Sequence, residues 1–141
     1  MRIDLPLLLR VAGVMHLGLI AAGMMMPGVV QMRVHLSTLP PFIRRLFWVY
    51  YSFLGLCIIS FSTVTIVFAD VLAAGGTLAR AVCVFFAMFW TLRLVAAAWI
   101  FDMKPYLTSS ARRFGYSILN VVFVYLPVVY GLAAIQPRWL N

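Results

Sequence analysis

Four long apolar runs constrain this chain more than any motif in it. About twenty apolar residues cross a bilayer as a helix, and a helix is favoured there because it satisfies its own backbone hydrogen bonds. The runs cover about residues 5–26, 47–69, 78–101 and 114–135, each close to that length. The predicted fold is therefore an all-α integral membrane protein. It is a single antiparallel bundle of four transmembrane helices with short loops, over residues 1–141. Composition agrees: 65% of the residues are hydrophobic, 10% are charged, and the mean hydropathy is +1.06. A soluble domain of 141 residues needs far more polar surface than that.

The boundaries follow from local signals. Arg10 and His16 interrupt the first run, and no small-residue cleavage site follows it, so a retained helix is expected rather than a signal peptide. Pro6 suits a first helical turn, and Pro27–Gly28 reads as the stop. Gly13, Gly18 and Gly23 allow a second helix to approach closely. Residues 28–43 read as a loop with an interfacial segment ending at Pro40–Pro41. Arg44 and Arg45 then precede the second helix, Trp48, Tyr50 and Tyr51 mark the interface, and Asp70 ends it. Gly75–Gly76 forms the next turn, and Ser109 or Ser110 is placed to cap the last helix.

The net charge of +8 would suggest nucleic acid in a soluble protein. Here the cations lie mostly at the ends of apolar runs, where they meet lipid phosphates and set topology, so no nucleic-acid partner is expected. Arg33, Arg44, Arg45, Lys104, Arg112 and Arg113 fall on one side, against Arg2, Arg10, Arg80 and Arg138 on the other. The positive-inside rule then places both termini on the non-cytoplasmic side.

Chemistry centres on Arg93, which lies near the middle of the third run. An arginine there costs roughly 2.5–3.5 kcal/mol on insertion scales, so it needs protein, water or a headgroup around it. Counting from the helix ends puts Arg93, Asn120 and His16 close to one layer. Trp90 lies one turn from Arg93, offering a cation–π contact, and Tyr116, Asn120, Phe123 and Pro127 share a face of the last helix. Pro127 also leaves the Phe123 carbonyl without its helical donor. Ser52, Ser60, Ser62 and Thr63 add hydroxyls from the second helix. The candidate ligand site is thus His16, Trp90, Arg93, Tyr116 and Asn120. It would take an anionic headgroup, a quinone carbonyl or a porphyrin propionate. Two other readings compete: an internal network among His16, Arg93 and Asn120 that fixes helix register, and snorkelling of Arg93 toward the basic side.

Several chemistries lack their residues. There is no glutamate, and Asp4, Asp70 and Asp102 all fall at predicted helix ends. An intramembrane carboxylate for proton-coupled export, a di-metal site or a carboxylate pair for hydrolysis is therefore missing. Haem across a bundle usually takes two histidines, but only His16 lies within a run; His35 falls in a loop. Copper would use Met15, Met24, Met25, Met26, Cys57 or Cys83, but no two of those methionines are three or four residues apart. Both cysteines fall in apolar runs and read as buried thiols. The spacing of Arg80, Arg93 and Tyr106 resembles that in ergosterol-biosynthesis scaffold proteins, which are small four-span membrane proteins, although in a helix of different order; no residue role carries over.

The functional expectation is a non-catalytic structural or assembly subunit of a larger membrane complex, without a cofactor. Its partners would be the lipid bilayer and either other membrane subunits or further copies of itself. The alternatives are a lipid-, quinone- or porphyrin-binding protein, with or without enzymatic activity, and a homo-oligomeric channel or carrier.

Overall fold

The computed structural model describes residues 4–100, 104–106 and 108–135. Arg2, Asp102 and Arg138, which bear on the topology argument, and the expected helix end at Phe101 lie outside the described residues. The described chain is helical, with no strand: α1 (Leu5–Val29), α2 (Met32–Ser37), α3 (Pro41–Val67), α4 (Ala69–Ala74), α5 (Thr77–Trp99) and α6 (Ser110–Ile135). A single 3₁₀ turn spans Lys104–Tyr106. Helices α1, α3, α5 and α6 are each long and apolar enough to cross a membrane. The protein is an all-α, four-helix membrane bundle.

Local chemistry shifts the boundaries from those the sequence suggests. Helix α1 runs through Pro27 and Gly28 to Val29 instead of stopping before them. A proline removes one N–H and leaves the carbonyl four residues back without its donor. That carbonyl belongs to Gly23, and it accepts a hydrogen bond from the Tyr51 hydroxyl. The neighbouring helix thus satisfies the group that Pro27 strands, and the break is bridged. At the other end Asp4 caps α1, accepting from the Leu7 N–H at 3.2 Å.

Helix α3 begins at Pro41, a favoured first-turn position for proline, so Arg44 and Arg45 lie within it rather than before it. The chain breaks at Phe68, and Asp70 falls inside the short α4 instead of ending a span. Burial of Ala69, Leu72 and Ala73 holds that helix in place. Gly75 closes α4 in the left-handed region at φ 74°, which glycine reaches without a Cβ clash. The Arg112 backbone N–H donates to Ser109 Oγ at 3.3 Å, so Ser109 is the cap and Arg112 and Arg113 belong to the first turn of α6.

The long helices associate as two antiparallel pairs, α1 with α3 and α5 with α6, joined chiefly by α1 against α4 and α6. In α3 the inward residues Tyr51, Gly55, Ile58, Ser62 and Thr65 recur at alternating steps of four and three. That repeat is the seam of left-handed helix packing. Gly13 permits the closest approach, for a Cβ there would collide with Ile66 Cγ1. Just beside it the Ser62 hydroxyl donates to the Gly13 carbonyl at 2.8 Å.

The core occupies only one half of the bundle. Buried positions run from Leu5 to Leu19 in α1, from Ser62 onward in α3, up to Trp90 in α5 and from Val122 onward in α6. In the other half, toward α2 and the α5–α6 connection, no described residue of the four long helices is fully buried.

Candidate functional site

His16 lies at the boundary between these halves and is wholly enclosed. Its Nδ1 stands 2.6 Å from the Ala12 carbonyl oxygen, which only accepts, so Nδ1 carries the ring proton. The Trp90 indole N–H donates to Nε2 over 3.1 Å. Both ring nitrogens therefore have partners, in one tautomer set by its neighbours. The Trp90 ring meets the imidazole edge-on at 5.0 Å, and Tyr130 approaches it at 6.1 Å.

A second bonded unit lies beside it. The Thr65 hydroxyl donates to the Phe61 carbonyl at 2.7 Å, so the Tyr130 hydroxyl is the donor in the 2.6 Å contact to Thr65 Oγ1. Rings continue the packing: Phe86 lies 5.1 Å from Tyr130 and 4.6 Å from Phe61. The Tyr125 hydroxyl donates to the Leu8 carbonyl at 3.1 Å, tying α6 to α1. The indole, imidazole and two tyrosines thus clasp all four long helices.

Rings lie between Arg93 and His16. Trp90 stacks with Phe123 at 6.1 Å and an interplanar angle of 29°, and the Arg93 guanidinium lies over Phe123 at 5.3 Å from the ring centroid. Because α5 and α6 run antiparallel, the step from Trp90 to Arg93 moves one turn away from the His16 level, toward the basic end. His16 pairs with Trp90, one turn from Arg93, within the few residues of the Arg93 level that depth counting expects. Tyr116 and Asn120 are half-buried on α6.

The second-helix hydroxyls divide by face. Ser52, Ser60 and Thr63 are exposed and bond back to their own helix at 2.9, 3.0 and 2.9 Å, while Ser62 alone of the four points inward. Thr65, Tyr125 and Tyr130 were not among the expected site residues, although Thr65 continues the heptad that Ser62 belongs to. Cys83 is buried as expected, whereas Cys57 is exposed on the outside of α3. Among the described residues no three of His, Cys, Asp or Glu converge on a possible metal position. A haem iron at His16 Nε2 would first have to displace the indole N–H.

Comparison with protein families, curated proteins and solved structures finds no match to this chain.

Proposed function

We propose that the protein is a non-catalytic structural or assembly subunit of a larger membrane complex. The observation that carries this reading is the occupation of both nitrogens of His16. The side chain best suited to proton transfer or metal ligation at this depth instead holds helices together. Broad outer faces supply the contact surface. In the most apolar eighteen residues of α3 only 11% are buried, against 33% in α1 and α6. Phe42, Tyr50 and Phe53 stand exposed along α3, aromatic side chains of the kind that dominate contact energetics.

The reading predicts that the protein migrates with other polypeptides in mild detergent and that its removal destabilises them. A stable isolated monomer that turns over a lipid or quinone overturns it. We place both termini on the non-cytoplasmic side, on the strength of the cation bias at the α2 end. With Cys57 and Cys83 removed, Ser109→Cys should resist an impermeant thiol reagent in intact cells, while Asn141→Cys reacts. The reverse pattern inverts the orientation.

A further inference from the structure

The bundle is closed at one end by its buried core and open at the other, toward α2. Its formal charge divides between the same ends. At the closed end Asp70 pairs with Arg10 at 2.9 Å, and Asp4 is taken up in capping α1. At the open end Arg33, Arg44, Arg45 and Arg112 are exposed, and among the described residues no carboxylate lies there. Arg112 has local partners, for its guanidinium donates to Thr108 Oγ1 at 3.2 Å and to the Tyr106 carbonyl at 3.4 Å. Arg33, Arg44 and Arg45 remain, three cations within the thirteen residues 33–45.

The elbow from α2 into α3 sets these cations among apolar side chains. Leu36 is buried and holds α2 against the bundle. The Ser37 hydroxyl donates to the Val34 carbonyl at 2.6 Å and the Thr38 hydroxyl to the His35 carbonyl at 2.9 Å, so the last turn of α2 closes on itself. Val34 follows Arg33, and Phe42 and Ile43 come directly before Arg44 and Arg45; all three apolar side chains are exposed. Exposed Leu46 and Val49 continue the apolar surface on the other side of the arginine pair. Arg44 lies three residues into α3, about 4.5 Å along its axis. At 27 residues α3 is about 40 Å long, roughly 10 Å more than a hydrocarbon core. The arginine pair therefore falls at headgroup level, with exposed apolar residues both outside and inside it.

We infer that the α2–α3 elbow is a surface for anionic phospholipids, whose phosphates gather on Arg33, Arg44 and Arg45 while Val34, Phe42 and Ile43 enter the acyl boundary. Charge complementarity selects an anion, because three cations without a facing carboxylate attract phosphate. The apolar neighbours select its source. A lipid brings phosphate and hydrocarbon to the same level, as an interfacial segment with interleaved cations and apolar side chains requires. A water-borne acidic segment matches the arginines alone and leaves Phe42 and Ile43 without an apolar partner. Bound lipid also has a structural consequence. No described residue of the long helices is fully buried in this half, so headgroups brace the elbow where the core does not reach.

Delipidated full-length protein in a neutral detergent is titrated with short-chain phosphatidylglycerol, short-chain phosphatidylcholine, inorganic phosphate or poly-glutamate. Hydrogen exchange over residues 32–45 reports occupancy, and exchange around the buried Tyr130 reports intact folding. Phosphatidylglycerol should slow exchange in the elbow at a concentration at least about tenfold below phosphatidylcholine, and added salt should shrink the difference. Arg33→Gln, Arg44→Gln and Arg45→Gln should each weaken the phosphatidylglycerol effect roughly fivefold, and the triple variant should no longer distinguish the two lipids. Arg→Lys at all three positions should keep most of the preference, because the lipid reads surface charge. The single variants keep the test decisive if the triple glutamine variant misfolds. Equal protection by the two lipids, or a preference undiminished in the glutamine variants, overturns the surface. Protection by inorganic phosphate or poly-glutamate equal to that by phosphatidylglycerol assigns the cations to a free anion or an acidic protein partner and overturns the lipid.

Discussion

The two halves of this bundle handle polar groups in opposite ways. At the closed end His16, Ser62, Thr65 and Tyr130 are buried, and each has its bonds inside the protein. At the open end Arg93, Tyr116 and Asn120 are half-buried, and the Arg93 guanidinium lies over the Phe123 ring. An apolar bilayer offers no water to compensate a lost bond, so the closed end fixes one arrangement of the helices. The open end lacks that constraint. The contrast separates an enclosed polar cluster from a partly exposed one within one small fold.

The largest test of the contrast is His16→Ala. It removes a fully enclosed ring and leaves the Trp90 indole N–H without its acceptor, and a loss of about 3 kcal/mol or more is expected. Reversible unfolding in detergent measures it. A cost below about 1 kcal/mol would mean that the clasp does not hold the pairs together. Gly13→Val should come next, at about 1–3 kcal/mol, because it drives α1 from Ile66 and strains the Ser62 bond. Crosslinking yield between cysteines placed on α1 and α3 should fall with it.

The Thr65–Tyr130 bond predicts a smaller effect. In a cycle of Thr65→Val, Tyr130→Phe and the double variant, the coupling should be about 0.6 kcal/mol, the average for hydrogen bonds between membrane helices. Additive effects would show that ring packing alone joins α3 to α6 there. Leu54→Ala should do least, within about 0.5 kcal/mol in the absence of lipid, because Leu54 is exposed at the open end. A loss comparable to that of the enclosed Leu9→Ala, about 2–5 kcal/mol, would mean that the pairs are packed together at both ends.

Much of this was legible in the sequence because the membrane imposes a simple rule on length and hydropathy. The four spans, the Gly75 turn and the Ser109 cap follow from local signals. Pro27 reads as a stop because its remedy is not local: Tyr51 lies twenty-eight residues beyond the Gly23 carbonyl that it satisfies. The candidate site was legible in part. Depth counting brought His16 near Arg93, but it cannot resolve one helical turn, and Trp90 rather than Arg93 meets the imidazole. Thr65 and Tyr130 went unnoticed because a threonine and a tyrosine in an apolar run give no pattern of their own. Their meaning comes from the heptad that turns them inward and from the partner that the fold places opposite.

The pairing of the helices also has a consequence for how the chain is made. Each pair consists of consecutive spans, so α1 and α3 can associate as soon as the second has entered the membrane, using Ser62 with Gly13 and Tyr51 with Gly23. The fastening between pairs has to wait. Tyr125 and Tyr130 are both carried by α6, the fourth span to be synthesised, and α5 brings Trp90 to His16 only shortly before. During that interval the first hairpin sits in the bilayer with the Thr65 oxygen still awaiting the donor that Tyr130 brings. Completion of α6 is then the step that fastens the two hairpins together, and a chain stalled before residue 125 presents to cellular quality control a Thr65 hydroxyl that the four-helix bundle conceals.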